Sequence, residues 1–401
     1  MSKINRLVIY FFSFELFFAL FILSGRFKGS EYLQWVPIDL TAFFFILSCI
    51  IMIFVFYKST FEFSKQRLLF LSIFIVFIFY SVLSLFWSLS TDYALEKILH
   101  LGTLTLFAFV GSCFVISTNY FRYRKFIMLL LLFSLFISIQ TIIFLFNSPN
   151  SSVEILGNNH INIGRILGMG AIVTLSILLF KQSNKKQRLV LWFLFLLQIS
   201  PILYIGSRGP LISLLLVVAL FALWKCFHRK RIKKSFIISS SFVLTSIIVI
   251  LPFIDINFVN LQAVNRLFGI VSSFQSGDSG SASTRLDFYN HALIAWTNNI
   301  FVGNGIGSWP VLYGFGDVNY YPHNILLEIL TELGLIGLVI FFIFISFPVL
   351  IRRKVRINKI AFSLFLFYLF NAMFTGDLND NRLLFAFLGM SFRLYDPDDT
   401  K

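Results

Sequence analysis

Apolar residues gather in blocks of roughly 20, separated by short polar stretches, which is the length a helix needs to cross a hydrocarbon core about 30 Å thick. The blocks lie near residues 5–24, 39–57, 69–88, 99–117, 126–146, 163–180 and 188–206, then 210–227, 235–254, 325–350, 359–376 and 383–394. Lipid offers backbone N–H and C=O groups no partner, so each block is expected to be helical. The pattern predicts an all-α, polytopic integral membrane protein with about 12 transmembrane helices. The last block is short, and a tight turn alone separates 188–206 from 210–227. Residues 255–324 break the rhythm with a segment of about 70 residues, far longer than an ordinary connection. One integrated domain in three parts is expected: a bundle over 1–254, this loop with short helices, and C-terminal spans and tail over 325–401.

Composition supports the membrane reading. Hydrophobic residues make up 58% of the chain and charged residues 13%, against about 25% charged in soluble domains. Phe occurs 54 times and reads as apolar bulk that lipid tolerates. Cys49, Cys113 and Cys226 are spaced neither as a disulfide framework nor as a metal site, and read as packing residues. The first block holds Glu15 and lacks a clean cleavage site, so it reads as a retained anchor.

Charge orients the spans. With Met1 inside, strict alternation places 25 of the 33 basic residues in inward segments. Eight fall outside: Arg26, Lys28, Lys97, Arg165, Arg208, Arg266, Arg285 and Arg382. That asymmetry is the positive-inside rule, with both termini cytoplasmic. The net charge of +15 then belongs to segments beside membrane ends, where anionic headgroups attract it. No nucleic-acid partner is needed to explain it.

The long outward loop carries structure. After the flexible run Gln275–Ser281, Ser283 or Thr284 is placed to cap a helix opening with Arg285. Leu286, Tyr289, Leu293 and Trp296 recur at helical spacing and predict its apolar stripe. Gly303-Asn304-Gly305-Ile306-Gly307 breaks the chain. Pro322 suits the first turn of the next span, which sets His323 at its N-terminal end with Asn324.

Outward arginines ask for a reason each. Arg26 and Lys28 read as interfacial anchors, and Lys97 as a solvated pair with Asp92 and Glu96. Arg208 sits in the tight turn Gly206-Ser207-Arg208-Gly209-Pro210, and Arg382 ends the compact turn that begins at Gly376 and Asp377. Arg208, Arg285 and Arg382, with His323, suit a negatively charged substrate, because guanidinium stays charged and grips phosphate oxygens bidentately. Each taken singly also fits a snorkelling or ion-paired arginine. His160, near Arg165 in the outward segment Gly157–His160, is a candidate acceptor-side residue. Glu328 and Glu332, one helical turn apart, either hold His323 or an arginine in place or pair within the bundle.

Ser207-Arg208-Gly209, Arg285 with Trp296 and Gly303-Asn304-Gly305, and Pro322-His323-Asn324 with Leu327-Glu328, Glu332, Gly334 and Gly337 resemble the bacterial O-antigen ligase and O-antigen polymerase superfamily. Segments 204–215, 284–307, 322–341 and, more loosely, 376–390 carry the resemblance. It implies an inner-membrane, metal-independent, inverting glycosyltransferase that needs no cofactor and acts at the periplasmic face. Its donor would be a glycan on undecaprenyl diphosphate. The acceptor would be an oligosaccharide, either a lipid-linked repeat unit (polymerase) or lipid A–core (ligase). Membrane lipids and a chain-length regulator are the other partners expected. Carried over, Arg208 and Arg285 bind the donor diphosphate and His323 is the general base, with Arg382, Asp377, Asn324, Glu328, Arg165 and His160 in supporting roles. Two other classes compete. A lipid-linked glycan flippase predicts inverted repeats and interrupted midplane spans, and no repeat is visible; a purely structural membrane protein has no use for the arginine–histidine set.

Overall fold

The computed structural model describes residues 12–58, 64–148, 153–181, 183–228, 281–351 and 357–392. Among these, seven helices are long and apolar enough to cross a membrane. They are α2 (Leu40–Lys58), α3 (Lys65–Trp87), α4 (Asp92–Thr118), α5 (Tyr120–Asn147), α6 (His160–Phe180), α7 (Lys185–Tyr204) and α11 (Ile325–Leu350). Around them lie α1 (Phe14–Ser24), α8 (Arg208–His228), α9 (Ser281–Asn298), α10 (Trp309–Tyr313), α12 (Lys359–Ala372) and α13 (Arg382–Gly389). A two-stranded hairpin, β1 (Glu154–Ile155) and β2 (Asn158–Asn159), precedes α6.

The expectation of twelve spans reaches beyond these seven. The span at 235–254 lies outside the described residues, as do 255–280 of the loop and Arg266 within it. The final block forms the eight-residue α13, whose residues from Leu383 to Gly389 are all buried. At 1.5 Å per residue such a helix is about 12 Å long, so it is enclosed by the bundle instead of spanning it.

Helix starts follow side-chain chemistry. Asn119, Asn159, Asn324 and Asn358 each accept backbone N–H groups at the first turn of α5, α6, α11 and α12. Asn184 and Gln187 complete a reciprocal capping box on α7, satisfying donors that the helix itself leaves open. At the centre, α6 is buried on every residue from Ile163 to Ser176, enclosed by α5, α7, α8 and α12.

Phe does more than face lipid. Phe74 stacks on Phe344 with ring centroids 4.6 Å apart, and Phe70 meets Phe109 edge-on at 4.9 Å. Phe14, Phe18 and Phe21 of α1 are buried as well. Rings fill the spaces between helices here, and each well-placed pair adds roughly 0.5–1.5 kcal/mol beyond its buried area.

The feature that organises the C-terminal half is a break in α11. Gly334 has φ 66° and ψ −165°, which interrupts the helix. The loop segment 300–305 lies across the gap. Asn304 N–H donates to Thr331 O (2.9 Å) and Gly305 N–H to Glu332 O (2.8 Å), while Leu335 and Ile336 N–H donate to Ile300 and Phe301 O. Tyr80 Oη donates to the freed Leu333 carbonyl at 3.1 Å. A side chain at Gly303 would strike the Glu332 backbone, and one at Gly334 would strike Phe301.

Directly beneath lies a buried ionic cluster. Lys97 Nζ is 2.5 Å from Glu328 Oε1 and 2.8 Å from Glu332 Oε2, with no exposed lysine surface. Lys97 is therefore not a solvated partner of Asp92 and Glu96. Helix α4 turns it inward, where the two glutamates of α11 supply the counter-charge its burial demands. Of the two roles open to Glu328 and Glu332, pairing within the bundle is the one observed.

The loop helix also differs from its expected stripe. Phe288, Ala292 and Ala295 are the buried positions, whereas Leu286 and Leu293 are exposed. Small alanines let α9 approach α11, and the contact is polar: Thr331 Oγ1 donates to Ala292 O and Asn304 Nδ2 to Ala295 O, both at 3.0 Å. Helical spacing alone cannot tell a large apolar stripe from a small-residue one on an adjacent face.

Removing one member of a buried ion cluster strands the others, at about 3–5 kcal/mol. Lys97→Met is thus expected to lower the thermal midpoint of detergent-solubilised protein sharply. Adding Glu328→Gln and Glu332→Gln should restore most of the loss. An unchanged midpoint in the single variant would show that Lys97 does not hold the two carboxylates.

Candidate functional site

The site is built around the turn from Met373 to Arg382, because elements from the whole chain end on it. Arg165 Nη2 of α6 donates to Thr375 O at 2.7 Å. Tyr289 Oη of α9 donates to Met373 O at 3.3 Å. Tyr93 Oη of α4 donates to Asp377 Oδ2 at 3.0 Å, and Leu378 N–H donates to Glu328 Oε2 of α11 at 3.2 Å. Gly209, beside Arg208, lies against Phe374. Within the turn, Asp380 N–H donates to Asp377 Oδ1 (2.8 Å) and Asn381 Nδ2 to Asp377 O. Gly376 adopts φ 89°, the left-handed backbone this reversal needs.

His323 stands at the edge of this assembly. It precedes the capping residue Asn324 and so lies one position outside α11, not in its first turn; Pro322 lies outside as well. The histidine takes φ 59°, a conformation that costs a non-glycine residue energy and gathers at functional positions. Its ring stacks on Phe288 at 5.9 Å and meets Tyr321 edge-on at 4.7 Å. Nδ1 is buried and has no hydrogen-bond partner among the described residues. Burial first, then the charges of Arg285 and Arg165, draw its pKa down to about 4. The imidazole is neutral at physiological pH.

The loop that presents His323 is anchored twice. One anchor is the crossing of the α11 break. The other is Asp317, whose carboxylate accepts from Ser90 Oγ (2.6 Å) and from the N–H groups of Thr91 and Asp92 at the start of α4. Those donors hold the Asp317 carboxyl well below the usual carboxylate range, although what burial it has acts the other way.

The residues singled out in the sequence fall into three groups. His323, Asn324, Glu328, Arg165 and Asp377 are joined through the turn, and the charge of Arg285 bears on both His323 and Tyr289. Asn324 is engaged as the α11 cap (2–3 residues into the helix), accepting from Leu326 and Leu327 N–H, and Glu328 is engaged with Lys97. Arg208 opens α8 on the neighbouring turn, where Ser207 Oγ donates to the His160 carbonyl; His160 enters through its backbone. Arg382 lies over the Phe21 ring, 5.4 Å from its centroid. Arg382 and Arg165 share two electrostatic neighbours, Asp380 and Arg26.

Three participants were not read from the sequence. Tyr93 and Tyr289 sit on helices far away in the chain, and nothing local marks their hydroxyls. Tyr321 is adjacent to the Pro322-His323-Asn324 string, and its phenol, raised to about 12 by burial and by Asp377 and Asp380, stays protonated. Among the described residues no three His, Cys, Asp or Glu side chains cluster closely enough to hold a metal ion.

Comparison with known proteins bears on this arrangement. A family model described as O-antigen ligase matches residues 193–342. That segment contains Arg208, Arg285, Gly303-Asn304-Gly305, His323 and the α11 break, and it ends before the Met373–Arg382 turn. No curated protein matches the chain. Motif strings and family model thus agree, and residues 193–342 of this membrane protein are similar to the O-antigen ligase family.

Proposed function

We propose that this chain is an O-antigen-type polysaccharide polymerase. It is an inverting glycosyltransferase that moves a glycan from undecaprenyl diphosphate to a lipid-linked repeat-unit acceptor at the periplasmic face of the inner membrane. The observation that carries the reading is a neutral, half-buried histidine with its Nδ1 enclosed, held in a strained backbone near the charges of Arg285 and Arg165 at the edge of the Met373–Arg382 turn. Transfer breaks a sugar C1–O bond and forms a new one to the acceptor hydroxyl, leaving lipid diphosphate. Negative charge grows on the leaving group, and Arg208 and Arg285 are assigned to stabilise it. His323 is assigned to take the acceptor proton. A donor diphosphate also offsets the arginine charge that weakens the imidazole as a base, so substrate binding strengthens the base when it is needed.

The ligase reading, in which the acceptor is lipid A–core, is supported by the match of residues 193–342 to the O-antigen ligase family model. A deletion strain separates the two. Polymerase predicts loss of chains longer than one repeat while single-repeat lipopolysaccharide remains. Loss of every attached repeat, with lipid-linked polymer accumulating, would instead make the protein a ligase.

Arg208→Ala, Arg285→Ala and His323→Ala should each reduce transfer by at least about 10²-fold, the scale of a lost charge-stabilising or proton-transfer group, with membrane insertion retained. Full activity in His323→Ala would remove it as the base.

The pH dependence has a defined sign. Neutral His323 is the active form, so protonation at low pH inactivates. With a free-enzyme pKa of about 4, kcat/KM should hold to roughly pH 5 and then fall, whereas an unperturbed histidine gives a limb near about 6.5. The limb in kcat should lie higher, since bound diphosphate offsets Arg285. A free-enzyme limb at the unperturbed position would contradict the buried setting of the ring.

A further inference from the structure

Arg26, Arg165 and Arg382 converge from three distant parts of the chain, just after α1, within α6 and at the start of α13. Arg165 and Arg382 each feel the charge of Arg26 and of Asp380. None of the three has a carboxylate within ion-pair distance among the described residues. Asp380 is exposed, and Asp39, which also bears on Arg382, is bound to Lys28 at 2.5 Å.

Their hydrogen bonding is incomplete. A guanidinium has five N–H donors, yet Arg165, only 4% exposed, donates among the described residues to Thr375 O alone. Arg165 Nε, Arg26 Nη1 and Arg382 Nη1 are buried without acceptors. Aromatic rings occupy faces: Arg26 is 5.9 Å from the Tyr368 ring centroid and Arg382 5.4 Å from that of Phe21. Stacking uses the flat face of guanidinium, while its donors point outward in the plane. The absent side chain of Gly25 gives Arg382 the room to lie there. Buried donors without acceptors are costly, and a cluster of three cations with no carboxylate in contact more so.

We propose that Arg26, Arg165 and Arg382 form a second anion site, separate from the Arg208–Arg285 pair, that takes the phosphate headgroup of a second membrane lipid. In-plane donors match phosphate oxygens bidentately. Tyr32 and Trp35, 75% and 80% exposed just beyond Arg26, are the aromatic residues expected at headgroup level. The inference deepens the transferase reading and rests on it for the identity of the second lipid. A transferase whose donor and acceptor are both lipid-borne must hold two anionic headgroups at once. The shared chemistry is a lipid phosphate, supplied by the acceptor or by the bilayer.

The test uses full-length protein in phosphatidylcholine nanodiscs and radiolabelled undecaprenyl diphosphate without glycan. Wild type should saturate at about two equivalents per chain, and both Arg26→Gln/Arg382→Gln and Arg208→Gln/Arg285→Gln at about one, each pair of arginines holding one headgroup. The equivalent remaining in Arg26→Gln/Arg382→Gln shows that the variant is folded. Excess phosphatidylglycerol distinguishes the sources. If it displaces only the equivalent that depends on Arg26 and Arg382, the site is a bilayer-phospholipid site; if it displaces neither, the second lipid is the substrate. Saturation of wild type at about one equivalent that only Arg208→Gln/Arg285→Gln abolishes would overturn the second site and leave the donor site standing. Loss confined to Arg26→Gln/Arg382→Gln would instead overturn the donor assignment.

Discussion

A helix cannot break inside an apolar environment unless its freed backbone groups find partners, and this fold is arranged around one such break. At Gly334 the carbonyls of Thr331, Glu332 and Leu333 and the N–H groups of Leu335 and Ile336 leave the helical ladder. The loop segment 300–305 takes up most of them and Tyr80 the remaining carbonyl. That exchange sews a loop remote in sequence onto the middle of the bundle. It also sets the register of Glu328 and Glu332 toward Lys97, and hence of Glu328 toward Leu378 N–H. The break, the buried ionic cluster and the Met373–Arg382 turn form one continuous scaffold.

The scaffold explains how a histidine comes to sit in a strained conformation beside arginines. On an unsupported loop, His323 would relax out of φ 59°. Here the chain on one side is tied to α4 through Asp317, and on the other Asn324 caps α11. The ring is packed between Phe288 and Tyr321, so the strain is over-determined by its surroundings. Its lowered basicity follows from the same packing, since the groups that bury it also bring Arg285 and Arg165 close.

Charge in this protein divides by burial and partner. Lys97 is fully compensated by two carboxylates and belongs to the framework. Glu15, buried in α1, is met by Arg122 and Lys125 of α5 at 3.8 and 3.7 Å. Arg26, Arg382 and Arg165 differ, because the first two lie over aromatic rings and the third donates to a backbone carbonyl. Arginine suits that role: its charge survives burial and its planar donors remain available for oxygen anions.

The sequence by itself determined the helical, membrane-spanning character, the family strings and the candidate residues His323, Arg208 and Arg285. Those features are written in composition, in run length and in local residue type, which need no knowledge of neighbours. The Gly303-Asn304-Gly305 and Gly334 positions were visible as glycines, but not the fact that one string repairs the gap made by the other. Lys97 looked like a surface residue because Asp92 and Glu96 adjoin it in sequence, and its partners are more than 200 positions away. Phe288, Ala292 and Ala295 were hidden for a similar reason: whether a face of small residues is buried depends on what approaches it. Tertiary structure alone gathered the looser 376–382 turn, Arg26, Arg165 and the tyrosines into one region. Partners supplied by packing across the bundle leave no periodic or local trace in the chain.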